Sequence, residues 1–261
     1  MKTCLVAVVL YLAVIQVGCK KASEDKASPT RGAGEDYTKA IKLDPKNAPA
    51  SPTRGEAKDG LGSYRGASKD FPTAIENYSK NAAASQHREV AKAQLGDYRG
   101  VMKDSTKAIK LDPKNAEAFY NRGGAKKELG DYSGAIRDFT KAIALNPGDS
   151  EAYNNRGIAK AKLGDCRGSM EDCTKAIELD PKLVKAYTTR GIAKSELGDH
   201  QGAMEDCTKA IELDPKNAEA YRHRGAAKLM LEDKEGACQD WRRAGELGNQ
   251  GVLELIKEYC Q

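Results

Sequence analysis

Six arginines recur along the chain at one interval of 34 residues: Arg54, Arg88, Arg122, Arg156, Arg190 and Arg224. Each is followed sixteen residues later by an aspartate, in the series Asp70, Asp104, Asp138, Asp172, Asp206 and Asp240. A guanidinium and a carboxylate at fixed separation can form a forked ion pair, or the cation can grip an acidic ligand. A ligand site would be expected once, whereas this pairing repeats in every copy. It is read as a structural ladder, with Arg122 and Asp138, Arg156 and Asp172, and Arg190 and Asp206 as its central rungs, setting geometry more than adding stability.

The other chemistry-bearing residues are few. The seven cysteines form no Cys-x-x-Cys or Cys/His ligand pattern. Cys173 and Cys207 fall where a core side chain is expected and read as small buried residues. Cys238 and Cys260 each stand ten residues from the turn at Gly248–Gln250. An antiparallel hairpin would bring them level, and in an exported protein they are expected to form a disulfide. Three histidines, no Gly-rich phosphate loop, no nucleophile elbow and no His-Glu-x-x-His leave no catalytic residue or metal ligand set to name. The formal charge of +5 is spread over both signs and does not imply nucleic acid. The expectation is a non-enzyme with no cofactor and no small-molecule substrate.

The elements that must position these residues follow from the same interval. Pro45, Pro113, Pro147, Pro181 and Pro215 are in register, as are Leu61, Leu95, Leu129, Leu163, Leu197 and Leu231. A period in this range signals stacked supersecondary units. Within Asn115–Gly148, the residues Ala118, Phe119, Arg122, Gly123, Lys126 and Leu129 have helical spacing, and Gly130-Asp131 ends that run. A second run, Ala135, Ile136, Phe139, Ala142, Ile143 and Leu145, stops before Pro147. Each copy is therefore a helix-turn-helix pair. Residues 32–114 read as degenerate copies, with Ser51 and Ser85 in place of an aromatic and prolines at Pro52 and Pro72. Residues 115–248 read as regular copies. Residues 249–261, with Val252, Leu253, Leu255, Ile256 and Tyr259, read as a helix capping the open end of the stack.

Phe119, Gly123, Ala135, Phe139, Ala142 and Pro147 resemble the pattern of the tetratricopeptide repeat, and it recurs with Tyr153, Gly157, Ser169, Cys173, Ala176 and Pro181. Two positions depart from it: Arg122 stands where the family has Leu, and Lys126 where it has a large residue. The resemblance implies an all-α, right-handed α-solenoid whose first helices line a concave groove for an extended peptide or a partner helix. Carried onto this chain, the groove positions are Tyr120, Asn121, Asn154, Asn155, Thr188, Thr189, Arg222 and His223. The competing reading of those residues is a solvated polar face. Other functions implied by the resemblance are a cytosolic co-chaperone-like adaptor, disfavoured because no clear Lys set stands beside Asn121 and Asn155, and an accessory subunit of an envelope enzyme or secretion assembly.

The N-terminus is a separate segment. Lys2, an apolar run from Cys4 to Val17 and then Gly18-Cys19 have the layout of a signal peptide, too short to span a bilayer as a permanent helix. Gly18-Cys19 resembles the bacterial lipoprotein cleavage box, although Gln16 departs from it. The resemblance implies cleavage after residue 18, lipid on Cys19, a polar tether over residues 20–31 and a place at the membrane of the cell envelope, with plain secretion or a periplasmic location as the alternative.

Overall fold

The computed structural model describes residues 96–260. The expectations for the signal segment, Cys19, the tether, Pro72, the rung Arg54–Asp70 and Arg88 of the rung with Asp104 lie outside those residues. The described residues fall into two compact units, 96–147 and 148–260.

The first unit contains α1 (Tyr98–Leu111), α2 (Ala116–Glu128) and α3 (Tyr132–Leu145), with α2 packed on both α1 and α3. The second contains α4 (Ser150–Lys162), α5 (Cys166–Leu179), α6 (Val184–Glu196), α7 (His200–Leu213), α8 (Ala218–Met230) and α9 (Lys234–Glu246). A 3-10 turn (Gln250–Val252) and α10 (Leu253–Tyr259) close it. Successive helices of α4 to α9 pack on one another, and α6 also touches α4 and α8, so the first helices of these pairs lie side by side. Each unit is an all-α stack of solenoid type, and the described residues contain no strand.

Local chemistry sets each boundary. Asn115 Oδ1 accepts a hydrogen bond from the Ala118 amide at 2.9 Å, and Asp131 Oδ1 accepts one from the Gly134 amide at 2.8 Å. Such bonds satisfy amides that have no partner in the first helical turn. Asp149, Asp165, Asp199, Asn217 and Asp233 cap their helices in the same way. Leu183 replaces this residue before α6, which starts without a side-chain cap. Between the two helices of a pair the backbone turns through a left-handed residue: Gly130 (φ +83°), Gly164 (+84°) and Gly198 (+86°). In the last pair Glu232 occupies this conformation at φ +68°.

The core is built largely of alanine, including Ala135, Ala142, Ala152, Ala159, Ala176, Ala193, Ala210 and Ala227. Such small side chains let helices approach closely, and one larger group per pair fills the remaining gap. Phe139 does this in the first unit, and Cys173, Cys207 and Trp241 do so in the second; all four are buried. Each faces a glycine on the first helix. A Cβ at Gly157 would lie 3.0 Å from the Cys173 sulfur, and one at Gly225 would lie 2.6 Å from Trp241 Nε1. Beyond α9, Tyr259, Leu255 and Ile256 of α10 pack around Trp241 and Val252.

The left-handed turn gives a direct test. Glu232→Gly should raise the unfolding free energy by about 1 kcal/mol, because a side chain at this φ is strained. Gly198→Ala at the equivalent position should lower it by a similar amount. Urea titration of both variants followed by helical circular dichroism measures this, and equal stabilities would contradict it.

Candidate functional site

The arginine and aspartate series meet inside each helix pair. Arg122 Nε and Nη2 donate to Asp138 Oδ2 and Oδ1 at 2.8 and 2.7 Å. The same fork joins Arg156 to Asp172 (2.8 and 2.6 Å), Arg190 to Asp206 (2.8 and 2.7 Å) and Arg224 to Asp240 (2.8 and 2.7 Å). Each aspartate is buried and takes a second cation from one turn further along the first helix. Lys126, Lys160, Lys194 and Lys228 approach the four carboxylates at 2.7, 2.8, 2.9 and 2.9 Å. Burial pushes the Asp138 carboxyl up, but its hydrogen bonds from Arg122 and Lys126 outweigh this and hold it below the ordinary carboxylate value.

The guanidinium has further partners. It lies over the ring of Phe119, Tyr153, Tyr187 or Tyr221, with centroid distances of 5.5, 5.4, 5.8 and 5.4 Å. Arg122 Nη1 also donates to Thr106 Oγ1 at 3.3 Å, Arg190 to Thr174 at 3.2 Å and Arg224 to Thr208 at 3.4 Å. These threonines belong to the second helix of the preceding pair, so one arginine ties two successive pairs together. The lysine and threonine series had escaped the reading of the sequence, although both recur at the 34-residue interval. Lys126, which departs from the family pattern, is the second partner of Asp138.

The polar positions on the first helices are not equivalent. Tyr120 and Asn121 lie half-buried on α2, with the Tyr120 ring 5.8 Å from that of Phe139. Asn155 on α4 and Thr189 on α6 are likewise half-buried. Asn154 and Thr188 differ from the expectation of a partner-facing row. Asn154 is 0% exposed beside the Cys173 sulfur, 4.0 Å from its Oδ1. Thr188 is buried, donates to the Val184 carbonyl at 3.3 Å and accepts from Asn217 Nδ2 at 3.4 Å. Their register turns these short side chains into the close, alanine-lined packing, one residue short of the accessible position.

Arg222 and His223 belong to a charged cluster on α8. Arg222 Nη2 lies 2.9 Å from His223 Nε2, and each of these nitrogens is 3.4 Å from Glu219 Oε2. Burial pushes the His223 imidazole below its ordinary value; Glu219 opposes that shift and Arg222 adds to it. Burial alone would raise Glu219, yet His223 and Arg222 hold it at about 2. Asn249 Nδ2 donates to the other oxygen of Glu219 at 3.2 Å. Burial also lowers Lys162 of α4, against the pull of Glu219.

Cys238 and Cys260 form a disulfide, with Cα atoms 5.5 Å apart, that ties α9 to the residue following α10. The free thiols of Cys173 and Cys207 are buried and pushed up to about 12, by burial first and then by Asp172 and Asp206 respectively. Neither supplies a thiolate near neutrality. Among the described residues no group of three His, Cys, Asp or Glu side chains is placed to hold a metal ion, and no helix is long and apolar enough to cross a membrane.

If the carboxylate is the hub of each rung, Asp206→Asn should cost about 3 kcal/mol, since it leaves Arg190 and Lys194 without their counter-charge. Thr174→Val, which removes one peripheral hydrogen bond, should cost about 1 kcal/mol. Urea unfolding of the two variants checks the order, and an equal loss would place the hub elsewhere.

Family models described as tetratricopeptide repeat match residues 116–149, 150–183 and 184–217. No curated protein sequence matches the chain. Among solved structures, a tetratricopeptide repeat protein from Parabacteroides merdae ATCC 43184 is 24% identical over 88% of this chain and 90% of its own, with a TM-score of 0.67. MamA from Desulfovibrio magneticus RS-1 is 23% identical over 71% of this chain and 97% of its own, with a TM-score of 0.57. YrrB, described as a tetratricopeptide-repeat protein with an unusual peptide-binding site, is 21% identical over 73% of this chain and 99% of its own, with a TM-score of 0.58. At these identities the likeness is one of fold. Residues 116–217 therefore carry three consecutive tetratricopeptide repeats, set in a helical architecture shared with solved tetratricopeptide-repeat structures.

Proposed function

We propose that the chain is a protein-interaction scaffold that takes a peptide or a partner helix along its first helices and is held at the bacterial cell envelope by lipid on Cys19. The observation that carries the binding reading is the division of labour on α4, α6 and α8. Arg156, Arg190 and Arg224 are spent on internal aspartates, while Asn155, Thr189 and His223, one residue earlier in each copy, remain partly accessible on helices that lie side by side. Such a row offers amide, hydroxyl and imidazole groups to a partner backbone. Arg222 adds a cation, and Tyr120 and Asn121 give the first unit its own candidate positions. The peptide-binding site of YrrB supports the same use of this fold.

Envelope anchoring rests on the Gly18-Cys19 layout and gains support from the disulfide. Disulfides persist in oxidising compartments and are rare in the cytosol, so Cys238–Cys260 favours an exported adaptor over a cytosolic co-chaperone. Several acyl chains on Cys19 would hold the chain firmly, where one alone would be marginal.

Two experiments test the two halves. Affinity capture from an envelope extract should retain a defined partner on the wild-type chain and lose at least about tenfold on the triple variant Asn155→Ala, Thr189→Ala, His223→Ala, which corresponds to about 1.4 kcal/mol. The control Lys175→Ala, Glu178→Ala on the exposed side of α5 should retain it, and equal retention by the triple variant would overturn the assignment. In cells, labelled palmitate should enter the chain and be lost in Cys19→Ala, with globomycin blocking processing; a chain that takes up no label is not a lipoprotein.

A further inference from the structure

The C-terminal helix has little to hold it by itself. It is seven residues long, contributes no fully buried residue and packs mainly on α9 and the preceding 3-10 turn. A helix this short is marginal in water without such contacts. Its far end is fixed by the Cys238–Cys260 bond. The surface it covers is the one holding Trp241, whose ring lies 5.8 Å from that of Tyr259.

Two hydrogen bonds join this end of the stack to the charged cluster on α8, one from Trp241 of α9 beneath the cap and one from Asn249 at the start of the cap. Trp241 Nε1 donates to the Arg222 carbonyl at 3.1 Å. Asn249, at the start of the cap, is buried; its Oδ1 accepts from the Gly251 amide at 3.0 Å while its Nδ2 donates to Glu219. Glu219 in turn contacts both Arg222 and His223. The capping segment therefore touches the carboxylate that contacts both Arg222 and His223, and it covers the indole that holds the Arg222 carbonyl.

We infer that the Cys238–Cys260 disulfide is a redox latch on the partner-facing end of α8: oxidised, it holds the cap and fixes Glu219, Arg222 and His223; reduced by a dithiol, it releases them. The inference rests on the reading of that face as a binding surface for its functional consequence. Cys260 is partly exposed and Cys238 is buried, so the bond is approached from the Cys260 side. One thiolate of the reductant attacks the Cys260 sulfur and Cys238 leaves as thiolate. The second reductant thiol then displaces Cys260. Two electrons and two protons pass to the protein, giving two cysteine thiols here and one disulfide on the reductant.

The chain carries its own reporters. Trp241 is the single tryptophan, and His223 can be followed by NMR beside the two other histidines, His87 and His200. Dithiothreitol should shift Trp241 emission to longer wavelength and move the His223 titration up towards the ordinary value of about 6.5. Cys260→Ser should reproduce both changes without reductant while helical circular dichroism shows the α4–α9 stack retained. Asn249→Ala, which keeps the disulfide, should move His223 and leave Trp241 emission unchanged. An unchanged His223 titration on reduction overturns the latch, whether or not Trp241 responds. These readouts need no partner, so loss of the latch and loss of the binding assignment are told apart by comparing them with the capture experiment.

Discussion

The structure depends on satisfying a carboxylate that has been buried between two helices. Each described aspartate of the ladder is nearly withdrawn from water, a costly place for a charge unless donors surround it. The forked arginine fixes direction as well as distance, since its two parallel bonds are made only when the first helix is rotated correctly against the second. The lysine one turn on supplies another contact to the same carboxylate. Arg122, Arg190 and Arg224 then reach the threonine of the preceding pair, so the interaction that defines a pair also sets its registry with the next. Replacing this hub with an apolar group would make a different interface, because the guanidinium also stacks on the neighbouring ring.

That polar spine explains why the core can be so lean. Alanines and glycines bury little apolar surface each, and the gap-filling residue can shrink from Phe139 to Cys173 and Cys207 where the glycines bring the first helix close. Among the described residues the pair α8–α9 is followed by α10 and not by another pair. There the side chain grows to Trp241, and α10 with its disulfide takes the place of the missing neighbour. Small repeat units of this kind derive stability from adjacent contacts, so an unprotected end is their weak point.

Most of this architecture was legible in the sequence because it is written once per 34 residues. Pro147, Gly130 and the capping Asp131 mark where helices stop and start, and repetition separates such signals from chance. The Arg122–Asp138 geometry follows from the same spacing. What escaped was carried by side-chain direction. Asn154 and Asn155 are adjacent and chemically identical, yet a step of one residue along the helix buries the first and leaves the second accessible. Thr188 and Thr189 divide in the same way. The Glu219–Arg222–His223–Asn249 cluster occurs in one copy only, so no period announced it, and Asn249 joins it from outside the repeat. Lys126 and Thr106 did recur, but a lysine or threonine on a helix is ordinarily solvated, and only the buried carboxylate and the neighbouring guanidinium give them partners.

The separation between repeated and unrepeated residues is also a separation of roles. Positions that recur unchanged, Arg156 and Asp172 among them, have their hydrogen-bonding capacity committed to holding the stack. Positions beside them differ from copy to copy, as Asn155, Thr189 and His223 do. A partner that lay along α4, α6 and α8 would meet this variable row beside the constant ladder. The exception is the last of these helices, where Glu219 and Asn249 couple the variable row back to the cap. There Asn249 of the capping segment holds Glu219, which contacts both Arg222 and His223, so a change in the cap is felt by the variable row.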